Sequence, residues 1–489
     1  MNQHRTHSAG FTLIELMVSI AIALLLILGV NEVFRISSET AGQGQTLSTI
    51  SRDDRAIQNT LTEDMRNIVP VASASSPTAD GPCFIIDSRF VTAFRNARDK
   101  AGAADPNNPL HDPTVFKKSV PPDYWNPVLI NYRSHRVDQL SFFARGLFPR
   151  QTASPGFGYA SPSTTSEAYI WYGHARLPNP SNAYFDPGDS NVANTSNQVA
   201  SDFFLCRQAI LLDPNIALRE PKYLLAAPGP RPLAPLGFGS PSNDTTSPFG
   251  GTYVVQDSRY DVGASSISIF NQVLAPYALA NPSGWWLPLL YRFDVDPFLT
   301  TPTGSTAPKV NSASTAMASP CLVRGCSQFI VEFAGNFYTK SPSGSMAHPW
   351  VDSTGQLDFY VDVDAAGNPL PNGNRHIRWY GFPRDTNGDG VIDARDVMPL
   401  RDVMQIGNDV EVANFAAPAP PYSGQTPNVM DYKGAFVWPI GVNTAYTAAW
   451  GPNSKLPFPK MIRITVAIDD PNGRLGDAQV FEYVFDVQQ

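Results

Sequence analysis

The chain has 489 residues, a formal charge of -8, 16% charged residues, 45 prolines and 35 glycines. With an apolar N-terminal segment set aside, the remainder is long enough for one large domain or two ordinary ones. The composition excludes a disordered acidic tail and offers no basic patch for nucleic acid; it reads as a loop-rich, β-rich exterior protein.

The chain begins MNQHRTHSAG, a polar leader that ends at Gly10. From Phe11 to Val30 the sequence is apolar apart from Thr12, Glu15 and Ser19. As a helix this run reaches roughly 30 Å, the thickness of a bilayer core. A secretory signal is cut after its apolar core, but the candidate cut here, Gly10/Phe11, lies before it. Cleavage would leave the membrane segment on the mature chain, with Phe11 as its first residue. Arg5, with His4 and His7, precedes the span and favours a cytoplasmic leader. Glu15 is an acid in a membrane run, which costs a few kcal/mol and calls for a function or a partner.

Beyond the span, Leu47, Ile50, Ile57, Leu61, Met65 and Ile68 recur at helical spacing, with Arg52, Asp53, Asp54, Arg55, Glu63 and Asp64 between them. This predicts an amphipathic helix lying on a folded body. Gly42 and Gly44 each weaken it by about 1 kcal/mol relative to Ala, so a bend is expected there, and Pro70 is expected to end it. The predicted organisation is a cleaved leader (1–10), a transmembrane helix (11–30), an extracytoplasmic amphipathic helix (31–69) and a β-rich body (70–489).

Gly10, Phe11, Thr12, Leu13, Ile14 and Glu15 resemble the class III signal of type IV pilins and type II secretion pseudopilins. The resemblance implies that a prepilin peptidase cuts after Gly10 and methylates Phe11. It also implies that Glu15 pairs with the terminal amine of a neighbouring subunit, since a buried acid becomes acceptable when a cation meets it.

In the body, strands are expected at Gln139–Leu147, Ala168–Leu177, Phe204–Leu212, Phe329–Phe333, Leu357–Val363, His376–Phe382, Ala435–Ile440, Met461–Ile468 and Gln479–Val487. The last two alternate apolar residues around Asp470-Pro-Asn-Gly-Arg and read as a hairpin packed on a core. The stretches 149–166, 178–200, 226–252 and 299–320 read as long surface loops. The expected class is α+β: a long N-terminal pilin helix, membrane half plus amphipathic half, packed on an antiparallel β-sheet body with long loop insertions. The strand order is similar to that of large minor subunits, the J-type minor pseudopilins and W-type minor pilins, although this chain is longer.

Cys83, Cys206, Cys321 and Cys326 follow the export anchor. They permit two disulfides in one of three pairings. Cys321 and Cys326 enclose a feasible small loop, which would leave Cys83 with Cys206; four buried free thiols are the alternative. Their spacing does not suit zinc.

Asp385-Thr-Asn-Gly-Asp-Gly-Val-Ile-Asp-Ala-Arg-Asp396 fits the twelve-residue calcium loop. Asp385, Asn387, Asp389, Asp393 and Asp396 stand at the ligand positions, Val391 offers its carbonyl, and Gly390 takes the sharp turn. Asp396 replaces the usual Glu, and the preceding segment reads as a strand holding Pro383. The loop therefore looks like the dockerin-type variant, with structural Ca2+. A weaker echo at Asp362–Gly367 reads as an ordinary turn.

No GxSxG, HExxH, GxGxxG or GxxxxGK[ST] occurs, and the seven histidines are scattered. Trp285 and Trp286, with Tyr291, could form a sugar platform, but burial is the more common use of such rings. The expectation is a non-enzymatic minor pilin or pseudopilin that helps initiate or cap a filament. Its partners would be the prepilin peptidase and other minor and major pilins or pseudopilins. It would sit in the bacterial inner membrane, body outside the cytoplasm, and then near a filament tip. The competing expectation is a membrane-anchored binding protein or hydrolase using the same export signal.

Overall fold

A computed structural model describes residues 12–72, 79–94, 133–149, 164–214, 262–298, 318–337, 351–397, 414–415 and 445–487, with shorter breaks inside several of these stretches, among them 363–369 and 387–395. The class is α+β: one long N-terminal helix followed by a largely antiparallel β body.

Helix α1 runs unbroken from Leu13 to Arg66. The expected bend at Gly42 and Gly44 does not form. The helical bonds continue through both glycines, and Gln43 reaches the carbonyl of Arg474 at 3.4 Å. Two glycine penalties of about 1 kcal/mol are small against the cost of nucleating a second helix. The helix stops at Arg66, ahead of Pro70, where the chain turns to an isolated β-bridge between Ile68 and Ala144. Asn67 caps it by donating its N–H to Asp64 O at 3.1 Å; its carbonyl then accepts from the Arg145 N–H and the Val69 N–H donates to Phe143 O, each at 2.8 Å.

The strands follow in chain order. They are β1 (Phe84–Ala93), β2 (Arg133–Arg136), β3 (Gln139–Pro149), β4 (Thr164–His174), β5 (Leu177–Pro178), β6 (Tyr184–Phe185), β7 (Phe204–Leu212) and β8 (Val262–Gly263). Helix α2 (Ile267–Ala280) intervenes. Then come β9 (Cys321–Arg324), β10 (Cys326–Ala334), β11 (Val351–Ser353), β12 (Asp358–Val361), β13 (Arg375–Ile377), β14 (Asn414–Phe415), β15 (Ala445–Trp450), β16 (Met461–Ile468) and β17 (Gln479–Asp486). The main sheet has the order β14-β15-β1-β3-β4-β7-β8, with β2 beside β1 and β9 beside β7. A second sheet, β10-β16-β17, contains the expected C-terminal hairpin, with Ile462 opposite Phe485 and Val466 opposite Phe481.

The main sheet is buried on both faces, and successive residues of each strand divide between them. Phe84, Ile86, Phe142, Ile170, Tyr172 and Leu205 join the apolar stripe of α1 (Ile50, Ile57, Leu61, Met65) and the inner face of the second sheet. Ile85, Phe143, Tyr169, Trp171, Cys206 and Ile210 face the other way, onto α2, Trp285, Trp286 and Phe293. Trp285 and Trp286 are each 1% exposed and meet edge to face, so they are core and not a sugar platform. The predicted strand Ala435–Ile440 lies outside the described residues.

Candidate functional site

The N-terminal turn of α1 holds its own acid. Thr12 is the N-cap, and its N–H and Oγ1 donate to Glu15 Oε2 at 2.9 and 2.7 Å, while the Glu15 N–H returns to Thr12 Oγ1 at 3.4 Å. This is a capping box, a reciprocal satisfaction of helix-end donors that also sets a negative charge against the positive end of the helix dipole. The carboxylate that the sequence marks as costly is thereby hydrogen-bonded before any partner arrives. Gly10 and Phe11 lie outside the described residues. From Leu13 to Ile36 the large apolar side chains point outward from the body, and the helix is long and apolar enough to cross a membrane.

At its other end α1 is fixed to the body. Asp64 is buried under the helix and accepts from Arg207 Nε and Nη2 at 2.6 and 2.7 Å. The Tyr172 hydroxyl donates to the same carboxylate. Burial, and then the Asp64 charge beside it, push the Tyr172 phenol well above its usual range. Tyr172 and Arg207 are register partners on β4 and β7, so two strands present both groups to one helical turn. Nearly three helical turns closer to the N-terminus, Tyr483 of β17 donates to Asp54. Apolar periodicity revealed the contact face of α1 but could not show which of its many acids turn inward.

The candidate calcium loop is described only at its neck. Arg384 and Val397 exchange backbone bonds of 3.2 Å, and Asp396 accepts from the N–H and Oγ1 of Thr386 at 2.8 and 2.9 Å. The last ligand position is thus buried and turned back to the start of the loop. Asp385, Asn387, Asp389, Val391 and Asp393 lie outside the described residues, and among the described residues no three metal-ligating side chains converge. Below the neck, Arg384 donates to Glu332 at 2.7 and 2.9 Å, and Arg463 joins it at 2.7 Å. Burial works against the Glu332 charge, but the two guanidinium groups overcome it and bring its pKa down to about 2. Beside the neck, Tyr360, Arg375, His376, Trp379, Asp396 and Arg463 line a cavity of about 410 Å³. Of the weaker echo at Asp362–Gly367 only Asp362 is described: it accepts from the Asn374 N–H at 3.1 Å and pairs with His376 at 2.9 Å.

No disulfide joins the four cysteines in this structure. Gly325, at φ 84°, lies between Cys321 and Cys326, and the two fall on different faces, Cys326 in the α1-side core and Cys321 against the α2-side core. Neither expected pairing, Cys321 with Cys326 or Cys83 with Cys206, is formed in the structure, and Cys206 has Cys321 as its neighbour. Its Sγ lies 4.0 Å from that of Cys321.

Compared with known proteins, the chain matches the model of the prokaryotic N-terminal methylation motif over residues 5–31. No curated protein and no solved structure matches it. The motif marks a prepilin-type exported protein. It implies processing by a prepilin peptidase and, in general terms, assembly with other pilins.

Proposed function

We propose that this chain is a minor pilin or pseudopilin that helps initiate or cap a type IV pilus or a secretion pseudopilus. The observation that carries the reading is the joining of the N-terminal motif to one continuous helix whose far end is locked into a large body by Asp64 and Arg207. The exposed apolar half of α1 holds the subunit in the bilayer until neighbouring helices bundle against it. Glu15 then exchanges its Thr12 contacts for the terminal amine of a neighbour. A body of this size is hard to repeat along a closely packed filament, which supports a rare subunit near the tip. In this reading the chain has no catalytic role. The test is co-purification of the exported chain with the minor subunits encoded beside it; retention of those subunits supports the reading, and their absence with normal filaments overturns it.

Ca2+ belongs to the same proposal, as a structural ion. Asp385, Asn387, Asp389, the Val391 carbonyl, Asp393 and Asp396 would hold it, a hard-cation oxygen set. The bridged neck at Arg384 and Val397 and the inward Asp396 suit a closed loop. Bound there, the ion would neutralise a dense group of carboxylates and fix the loop to the body.

A second reading, a membrane-anchored binding protein or hydrolase, draws on the aromatic and basic lining of the cavity beside that neck. Filaments that form normally without this gene product would favour it.

A further inference from the structure

We propose that Cys206 and Cys321 form a disulfide in the exported protein, while Cys83 and Cys326 remain thiols. Cys206 on β7 and Cys321 on β9 are register partners at an irregularity of the ladder, where the pairing skips Leu322, and their sulfurs are 4.0 Å apart. Directly opposed residues of an antiparallel pair have Cα atoms about 4.5–5.5 Å apart, inside the span of about 4.4–6.8 Å that a disulfide needs. Closing the gap between the sulfurs asks for rotation of the two side chains and local adjustment at the irregularity. The other two sulfurs lie elsewhere. Cys326 Sγ donates to the Gln328 carbonyl at 3.2 Å, and Cys83 is buried at the head of β1.

Cys321 is the more accessible of the pair, so the chemistry begins there. Its thiolate attacks the disulfide of an extracytoplasmic protein oxidant, giving a mixed disulfide and releasing one oxidant thiol. Cys206 loses its proton and attacks the Cys321 sulfur, forming the internal bond and releasing the second oxidant thiol. Two protons and two electrons leave the cysteines, and the oxidant's disulfide takes up both.

The position gives the bond a purpose. Strand β9 is four residues long and belongs to the main sheet, whereas β10, one residue later, belongs to the second sheet. The crossing runs through Gly325, where a Cβ would lie 2.5 Å from the Asp469 carbonyl. A covalent tie at Cys321 fixes the first residue of the short strand that leads into that crossing. It also secures β7 next to Arg207, the residue that receives Asp64 from α1. The proposal rests on the export reading for its oxidant.

The test is peptide mass mapping of the exported full-length protein, alkylated under denaturing, non-reducing conditions. Expected are a linked pair of peptides containing Cys206 and Cys321, and alkylated Cys83 and Cys326. A linkage involving Cys83 or Cys326, or four alkylated cysteines, overturns the proposal. Incubating purified, reduced protein with glutathione disulfide probes the geometry apart from export. The same single linkage should appear there, and its absence overturns the proposal even if the chain proves to be a pilin. A Cys321→Ser variant should bring the number of alkylated cysteines to three and lose the drop in melting temperature that reductant causes in the parent.

Discussion

Asp64 and Arg207 meet in a two-pronged ion pair whose carboxylate is almost fully excluded from solvent, with hydrogen bonds of 2.6 and 2.7 Å. Residues 143 positions apart are joined at the only place where the long helix presents a buried charge to the main sheet among the described residues. Breaking a buried pair by removing one partner costs about 3–5 kcal/mol, because the other charge is left stranded. Arg207→Ala should therefore lower unfolding free energy by about 3 kcal/mol. Pairing Arg207→Met with Asp64→Leu should recover most of that loss. Denaturant unfolding of the full chain in detergent reads both; equal loss in the single and double variants would show that the pair does not clamp the helix.

The Thr12–Glu15 capping box makes a separable prediction for assembly. Glu15→Gln keeps a group that can accept from Thr12 but removes the charge, whereas Glu15→Ala removes both, at about 1 kcal/mol of helix-end stability. Both variants should still be cut after Gly10, and both should be missing from sheared filaments. Normal incorporation of the Gln variant, read by immunoblot, would rule out pairing with a neighbour's amine.

Calcium should raise the melting temperature of the exported protein, and a chelator should reverse the rise. At a free concentration one hundredfold above Kd the gain is about 2.7 kcal/mol. Asp389→Ala should abolish the response without changing the melting temperature in chelator. A wild-type melting temperature indifferent to calcium would remove the ion from the proposal.

Acid should destabilise the body in two stages. Burial, then the nearby Arg292, hold His174 down at about 3 from a usual 6.5, so the unfolded chain takes up the proton first. Its contribution is complete above pH 6.5 and is lost as pH falls from there toward 3. Glu332, held at about 2 from a usual 4.5, contributes fully above pH 4.5 and loses that contribution as pH falls toward 2. Stability should thus begin to fall below pH 6.5 and fall more steeply below 4.5. His174→Gln should flatten the first stage only; an unchanged profile in that variant would show that His174 is not the group responsible.

What the sequence reveals depends on how each element meets its neighbours. The hairpin β16–β17 is legible because one face alternates cleanly and a Pro-Asn-Gly turn separates the strands. β1 is not, because it is covered on both faces and carries buried Asp87 and Ser88 in its centre, which erases the alternation. β15, with its run Ala-Tyr-Thr-Ala-Ala-Trp, has too many small residues to read as a strand until its partner β1 is known. α2 carries Pro276 inside it, a helix breaker by any local rule, and survives by packing Phe270 and Leu274 against the sheet. At the site, the Gly10–Glu15 motif is fully legible because its spacing is its chemistry. The Asp64–Arg207 pair and the Cys206–Cys321 neighbours are not, since both depend on strand register between distant segments.

The continuity of α1 through Gly42 and Gly44 has a mechanical consequence. A single helix of 54 residues is a rod about 80 Å long. With no hinge between the bilayer half and the clamped half, an axial push at Glu15 arrives at Asp64 undiminished, and the body travels with the shaft as one piece. In the proposed filament role, such a lever would carry each step of extraction from the membrane to whatever the outer domain touches.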